Sequence, residues 1–296
     1  MDENAGADEI AAIRALLAAR PRPVGWPERR RRLDEVGSVW PAAADVTLAP
    51  VDAGAPAEES LAPGSDPSRV LLYLHGGGYC AGSILSHRRL VTEAGRAAGV
   101  RTRAVDYRLA PEHPFPAALD DALAAWRHLR DEGVEARHIA VGGDSAGGGL
   151  SVALVNRLRA MGEAQPGCVW LISPWTDLTL SGESLATKDV VDPLIHKAYL
   201  AELVGAYVGG ADARDPGVSP LFSDLDGFPP TLIQVGSAET LLSDATRFAA
   251  AAGAADVDVT LQIWPHMIHA FPLWNARLAA GREALADAGA FIRRRL

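Results

Sequence analysis

The pattern of apolar and polar positions predicts an alternation of strands and helices along most of the chain. Short, continuous apolar runs such as residues 70–74 and 139–141 are typical of strands buried on both faces of a sheet. Longer stretches with helical spacing separate these runs, which favours an α/β fold with a mostly parallel sheet flanked by helices. The predicted strands span residues 45–51, 58–61, 69–74, 100–105, 138–141, 167–172, 231–235 and 258–263.

The N-terminal segment has an apolar stripe at helical spacing. The stripe consists of Ile10, Ile13, Leu16 and Leu17, and Pro21 and Pro23 follow it. This spacing predicts an amphipathic helix that ends before the two prolines. Another part of the protein must therefore cover the stripe.

The composition indicates one domain that acts on a small, neutral molecule. The 296 residues can bury one large core, so a single domain of residues 1–296 is predicted. The net charge of −9 argues against nucleic acid or an anionic membrane as partner, and no apolar stretch reaches the roughly 20 residues of a membrane span. The acidic start, residues 1–9, lacks the pattern of a signal peptide, which predicts a cytoplasmic location. Cys80 and Cys168 lie far apart in sequence and are expected to stay reduced.

A strand, a sharp turn and a helix are predicted around residues 142–147, Gly-Gly-Asp-Ser-Ala-Gly. A serine hydroxyl is a weak nucleophile, so an enzyme exposes it on a strained turn beside a base, and Gly143 and Gly147 permit such a bend. Ser145 is therefore the predicted nucleophile. The N–H of the residue after the nucleophile serves as an oxyanion donor in such turns, which points to Ala146.

A second glycine-rich loop, His75-Gly76-Gly77-Gly78, directly follows the predicted strand 69–74. Acyl transfer builds negative charge on a carbonyl oxygen, and glycine amides can approach that oxygen closely, so Gly77 and Gly78 are predicted oxyanion donors. A phosphate-binding loop or a dinucleotide site fits less well, because no Lys-Ser/Thr follows and the glycine spacing differs. His75 is expected to order the loop rather than to react.

The base and the acid should follow the nucleophile in the order acid, then histidine. Glu239 comes just after the predicted strand 231–235, at the edge where active-site residues of open α/β sheets collect, and it is the predicted acid. His269, in the loop after the last strand, is the predicted base. Asp244 and His266 are the alternatives for the two roles. Asp244 is expected instead to cap or decorate a helix, and His266 to be a loop or pocket residue.

Trp175 follows the predicted strand 167–172, so it belongs to the same edge of the sheet. It could form a wall of the acyl or alcohol pocket, or it could pack beneath other elements. The remaining histidines occur singly, without the close His/Cys/Asp spacing of a metal site. We therefore expect no metal and no cofactor. The run Arg29-Arg30-Arg31-Arg32 has acidic neighbours, which favours a solvated helix face without a binding role.

The chain resembles bacterial hormone-sensitive-lipase-type (family IV) esterases of the α/β-hydrolase superfamily. Four motifs support this resemblance, in the family's order: His75-Gly76-Gly77-Gly78, residues 106–117 (DYRLAPEHPFPA), residues 143–147 (GDSAG) and His269-Ala270-Phe271. The resemblance implies an α/β-hydrolase fold with an eight-stranded sheet. It also implies a helical cap over the active site, built from residues 1 to about 42 and about 177–222.

The resemblance further implies a serine carboxylesterase that hydrolyses short-chain, acetyl-like esters of small molecules. Ser145, Glu239 and His269 would react, while His75, Gly76, Gly143, Asp144 and Gly147 would support them. A lactone hydrolase or an N-/O-acetyl hydrolase uses the same chemistry and remains an alternative. A non-catalytic receptor on the same fold is a weaker one, because His269 is present. The family includes both monomers and dimers, so a homodimer is allowed.

Overall fold

Eight strands form a single sheet in the computed structural model, which describes residues 3–296. The strands are β1 (Thr47–Asp52), β2 (Pro56–Leu61), β3 (Asp66–Leu74), β4 (Val100–Val105), β5 (Ile139–Asp144), β6 (Cys168–Ile172), β7 (Thr231–Gly236) and β8 (Val259–Trp264). Their order across the sheet is β1-β2-β4-β3-β5-β6-β7-β8. β2 pairs antiparallel with β1 and β4, and every other pair is parallel. The predicted eight-stranded, mostly parallel sheet is confirmed.

One strand extends further than its apolar pattern indicates. The prediction ended β5 at Val141, but the strand continues through Gly142 and Gly143 to Asp144. Gly143 lies in register with Leu74 of β3 and with Leu171 of β6, so sheet pairing reaches the residue that precedes the Asp-Ser turn. The central position of β5 in the sheet outweighs the low strand propensity of glycine.

Helices cover both faces of the sheet. They are α1 (Glu3–Ala18), α2 (Trp26–Val39), α3 (Ile84–Ala98), α4 (Ala117–Asp131), α5 (Ala146–Ala160), α6 (Ser184–Thr187), α7 (Lys197–Tyr207), α8 (Leu242–Ala254) and α9 (Ala279–Arg295). Leu71 and Tyr73 of β3 face α3 and α9, whereas Leu72 and Leu74 face α4 and α5. Because side chains alternate along a strand, β3 is apolar on both faces and stabilises two core layers. Among the described residues, every helix is too short or too polar to cross a membrane.

The two segments predicted to form a cap lie near the carboxyl edge of the sheet. Ile10 and Ile13 of α1 pack against Ile268 and Phe271, so the loop that contains His269 covers this part of the apolar stripe, whereas Leu16 stays 43% exposed. Residues 177–222 include α6, α7 and a 3₁₀ turn. Residues 1 and 2, the first of the acidic start and of the predicted N-terminal cap segment, lie outside the described residues.

The expectation that the four arginines of α2 form a solvated helix face fits Arg31 but not the other three, which are partly buried. Arg32 donates to the Pro21 carbonyl. The Arg30 guanidinium donates to the carbonyl oxygens of Cys80 and Ala110, each at 2.9 Å. Arg29 makes a two-point ion pair with Glu202 of α7, and its side chain is only 12% exposed. The sequence shows the acidic neighbours along α2 but not these distant acceptors. α2 is therefore attached both to the loop after β3 and to α7.

Candidate active site

Ser145 lies in the sharp turn between β5 and α5. Its backbone has φ 54° and ψ −122°, a conformation that non-glycine residues rarely adopt and that costs energy. Backbone hydrogen bonds hold Ser145 in this strained conformation. The Ser145 N–H donates to the Ile172 carbonyl at 2.9 Å, and the Ser145 carbonyl accepts from the Trp175 N–H at 2.9 Å. The turn places Ser145 at the N-terminus of α5, where the helix dipole favours negative charge.

Gly147 allows this turn to lie directly against the end of β3. A Cβ atom at Gly147 would lie 2.0 Å from the carbonyl oxygen of Leu74 and 2.4 Å from that of His75. Any side chain there would push the nucleophile turn away from the glycine-rich loop. The close approach of the two loops therefore requires glycine at this position.

Asp144 joins the nucleophile turn to the glycine-rich loop. Its buried carboxylate accepts from the Tyr73 hydroxyl at 2.8 Å, from the Gly76 N–H at 2.9 Å and from His87 Nε2 at 3.2 Å. Burial alone would raise the pKa of Asp144, but the charge and hydrogen bond of His87, with the Tyr73 hydroxyl, lower it. Asp144 therefore fixes the relative position of the two loops as an anion.

The glycine-rich loop is tightly bent and packs against its own backbone. Gly77 has φ 122°, and a Cβ there would lie 2.1 Å from the Ala81 carbonyl oxygen, which excludes other residues. The Gly77 carbonyl accepts from Cys80 and Ala81. Within residues 3–296, the N–H groups of Gly77 and Gly78 donate to no protein acceptor, and neither does that of Ala146. These amides are free to bind an anion.

His75, at the start of this loop, is buried and neutral. Its Nδ1–H donates to the Gly76 carbonyl at 2.8 Å, and its ring stacks on Tyr107 with centroids 4.2 Å apart. Burial, together with the neighbouring His87, lowers the pKa of His75 to about 3. This environment matches the expected role in ordering the loop.

Glu239 and His269 form a buried hydrogen-bonded pair. Glu239 lies in the turn after β7, His269 lies in the loop after β8, and Oε1 of Glu239 accepts from Nδ1 of His269 at 3.2 Å. Glu239 is fully buried and His269 is 5% exposed. Burial alone would lower the pKa of His269, but the hydrogen bond and charge of Glu239 raise it above its ordinary value.

Backbone hydrogen bonds hold the two loops of this pair together. The Ser237 N–H donates to the Trp264 carbonyl at 2.9 Å, and the Ala238 N–H donates to the Met267 carbonyl at 3.0 Å.

Within the described chain, no hydrogen bond joins the Ser145 hydroxyl to His269. Such bonds often tighten only when substrate binds. The structure therefore brings the predicted acid and base together, at the same sheet edge as the predicted nucleophile.

Comparisons with known proteins identify the family of this chain. Residues 71–273 match a family described as having the alpha/beta hydrolase fold. An acetyl-hydrolase of Streptomyces hygroscopicus is 44% identical over 235 residues, which cover 79% of each chain. An esterase of Acinetobacter venetianus is 36% identical over 88% of this chain and 86% of its own. The crystal structure of an esterase from the bacterial hormone-sensitive lipase (HSL) family superposes with a TM-score of 0.94 at 40% identity, covering 100% of this chain and 99% of that one.

The chain belongs to the bacterial hormone-sensitive lipase family. The family predicted from the four sequence motifs is therefore confirmed. The α/β-hydrolase fold predicted with it is confirmed as well.

Asp244 and His266, the alternative acid and base, take no part in the hydrogen bond between Glu239 and His269. Asp244 is fully buried on α8, and its Oδ2 accepts from the N–H groups of Thr176 and Asp177, each at 2.8 Å. His266 is exposed, and its N–H donates to the Ser237 hydroxyl at 2.8 Å. The sequence expectation of a loop position for His266 agrees with the structure. The helix predicted for Asp244 is present as α8, but its carboxylate neither caps that helix nor lies on its surface, because it accepts from loop 176–177 and is fully buried.

Trp175 and Ser173 both follow β6 at the carboxyl edge of the sheet, but only Trp175 had a role predicted from the sequence. The Trp175 ring is fully buried beside Tyr79, which agrees with the alternative that it packs beneath other elements. Ser173 had no predicted role, yet its hydroxyl donates to Oε2 of Glu239 at 2.7 Å. Its only sequence signal was its position directly after β6, at the edge where the other site residues occur.

Asp192 of the segment 177–222 also reaches the acid turn. Its Oδ2 accepts from the Thr240 N–H at 2.8 Å, and its Oδ1 accepts from the N–H groups of Leu194 and Ile195. Asp192 is 1% exposed. This carboxylate therefore attaches the predicted cap segment to the residue next to Glu239.

Proposed function

We propose that this protein hydrolyses short-chain acyl esters of small molecules through an acyl-enzyme on Ser145. The observation that carries the proposal is the buried hydrogen bond between Glu239 and His269, at the sheet edge where Ser145 is held at φ 54°. The Streptomyces relative is named an acetyl-hydrolase, which supports a short acyl group.

In the proposed mechanism, Ser145 Oγ attacks the ester carbonyl carbon while Nε2 of His269 accepts the hydroxyl proton. Glu239 keeps the proton of the imidazole on Nδ1 and stabilises the imidazolium. His269 then gives the proton to the leaving alcohol oxygen, and an acyl-enzyme remains. A water molecule attacks the acyl carbon with His269 again as base, and the acid is released with Ser145 restored.

The amides of Gly77, Gly78 and Ala146 would bind the oxyanion of each tetrahedral intermediate. Their support is that these N–H groups are free of protein acceptors in the described residues, and that Ala146 begins α5. Preorganised donors of this kind stabilise developing charge without reorganisation. Removing one such donor typically costs about 10²–10³-fold in kcat.

Residues 1 to about 42 and about 177–222 would cap the site. Leu203 of α7 lies so close to Gly78 that a Cβ there would meet its side chain at 2.4 Å, and Arg30 of α2 holds the Cys80 carbonyl. Ser145 is only 7% exposed. These contacts place α2 and α7 beside the glycine-rich loop, so the two segments would border the substrate pocket.

Lactones and acetyl esters or amides are the alternative substrates, since the same residues would open them. A non-catalytic receptor remains the alternative outside enzymes. A cytoplasmic location, a homodimer and a pocket role for Trp175 stay predictions.

The test is hydrolysis of p-nitrophenyl esters of increasing acyl length by the wild type and by Ser145→Ala. We expect turnover that is highest with short acyl groups and a loss of at least about 10³-fold in the variant. Ser60→Ala is the matched control, because Ser60 is a buried, hydrogen-bonded serine in β2, near the other edge of the sheet. It should keep wild-type turnover.

A phosphonate label followed by peptide mapping identifies the nucleophile directly. Labelling of Ser145 in the wild type, and none in Ser145→Ala, is the expected result. Folded wild-type protein with neither turnover nor labelling would contradict the esterase proposal and favour a receptor. Adding lactones and acetyl amides to the assay distinguishes the substrate classes.

A further inference from the structure

Ser173, directly after β6, has an unusual backbone and a fully buried side chain. Its φ is 45°, in the left-handed region that non-glycine residues rarely adopt. Its N–H donates to the Gln234 carbonyl of β7 at 2.7 Å, and the residue is 0% exposed. A strained backbone of this kind persists only when the surroundings hold it.

The Ser173 hydroxyl connects the acid turn to the base loop. It donates its proton to Oε2 of Glu239 at 2.7 Å and accepts from the Ala270 N–H at 3.1 Å. Ala270 directly follows His269 and has φ 49°. A hydroxyl has one proton to donate and lone pairs to accept, so this single oxygen satisfies both partners.

The geometry leaves Glu239 with little freedom to rotate. Its Oε2 accepts from Ser173 Oγ and from the Gly236 N–H at 2.9 Å, which directs Oε1 towards Nδ1 of His269. Without the hydroxyl, Oε2 keeps one donor instead of two, and the buried Ala270 N–H loses its acceptor. An unpaired buried donor favours rearrangement of the loop that contains His269.

We propose that Ser173 is a positioning residue that aligns Glu239 and His269 with each other through its hydroxyl. This inference rests on the proposed function, because it takes Glu239 and His269 as the acid and the base. Ser173 acts through them and does not contact substrate in the proposed mechanism.

Two variants separate the hydroxyl from the strained backbone. Ser173→Ala removes the hydroxyl and keeps a Cβ at φ 45°, whereas Ser173→Gly removes the hydroxyl and relieves the backbone strain. Because misplacement by about 1 Å costs on the order of 10²-fold in rate, we expect kcat to fall about 10–100-fold in both, with KM changed less than about threefold. Ser60→Ala should show neither change.

The pH profile of kcat/KM provides a readout that a merely structural role would not change. Glu239 raises the pKa of His269 in the wild type, so a misaligned Glu239 lets that pKa fall. The acid limb of the profile should then move to lower pH in both Ser173 variants. Lower thermal stability with unchanged kcat and an unchanged acid limb would overturn the proposal, as would wild-type kcat in Ser173→Gly.

Phosphonate labelling separates failure of this inference from failure of the proposed function. If Ser145 of the wild type is labelled and required for turnover but the Ser173 variants match the wild type, only the role of Ser173 is wrong. If the wild type is neither active nor labelled, the catalytic assignment itself is wrong and the Ser173 proposal falls with it.

Discussion

Glu239 and Asp244 are two buried carboxylates five residues apart that differ in how many of their oxygens have hydrogen-bond partners. Both are fully buried, and both accept backbone N–H groups. Both oxygens of Glu239 have partners, one of them on His269. In the described part of the chain, Oδ1 of Asp244 has no hydrogen-bond partner, although its Oδ2 accepts two N–H groups.

These surroundings change the pKa of Asp244 itself and, near Glu239, the pKa of His269. Burial raises the pKa of Asp244 to about 7, because the two backbone donors offset only part of the desolvation. Beside Glu239, the hydrogen bond and charge of this carboxylate raise the pKa of His269. A buried charge is tolerated best when a partner shares it. The turn after β7 therefore suits an acid that orients a base, and the first turn of α8 does not.

The largest expected effect comes from Glu239→Gln. The amide can no longer stabilise the imidazolium and permits the wrong tautomer, so we expect kcat to fall about 10³–10⁴-fold. Because Glu239 then no longer offsets the effect of burial on the pKa of His269, the acid limb of kcat/KM should move to lower pH. Stopped assays across the pH range measure both changes. Asp244→Asn in the same assay is the matched control, and a loss below about tenfold in Glu239→Gln would remove Glu239 as the acid.

Some features of the candidate site could be predicted from the sequence, and others could not. The positions after strands and the glycine-rich loops were predictable, because turn geometry and strand pattern are local properties. Ser145, Gly77 and Glu239 therefore lie at the expected strand ends. The contacts of Ser173 and Arg30 were not predictable, because each joins segments that are far apart in sequence.

Burial of Asp244 was missed for the same reason. The sequence placed it on a helix, which α8 confirms, but the face of that helix is covered by loop 176–177. Helical periodicity does not show which loop returns to cover a helix.

The second expected effect concerns stability at Asp244. In the folded protein its pKa is about 7, above the roughly 3.9 of an unfolded chain, so the folded state holds an extra proton between these values. Stability contributed by this proton is present at low pH and is lost as pH rises through about 7. Asp244→Asn keeps an oxygen acceptor and cannot ionise. We expect it to be more stable than the wild type by roughly 1–3 kcal/mol above neutral pH.

Denaturant unfolding on both sides of this pH window measures the effect. The advantage of Asp244→Asn should shrink as pH falls towards the acid range, and kcat should stay within about threefold of wild type. A variant that is less stable than the wild type above neutral pH would show that the Asp244 charge stabilises the fold.

The smallest expected effect extends the comparison to a carboxylate at the surface, Glu202 of α7. Its side chain is 49% exposed, and it pairs through both oxygens with Arg29 of α2, at 2.9 and 2.7 Å. Arg29 lowers the pKa of Glu202 through these hydrogen bonds. Because the Glu202 carboxylate is half exposed, water and salt screen its attraction to Arg29, and we expect Glu202→Gln to cost less than about 1 kcal/mol of stability. Denaturant unfolding at low and high salt should show a difference from wild type only at low salt. A loss that persists at high salt would mean that solvent does not screen this pair and that Glu202, like Glu239, makes a buried interaction.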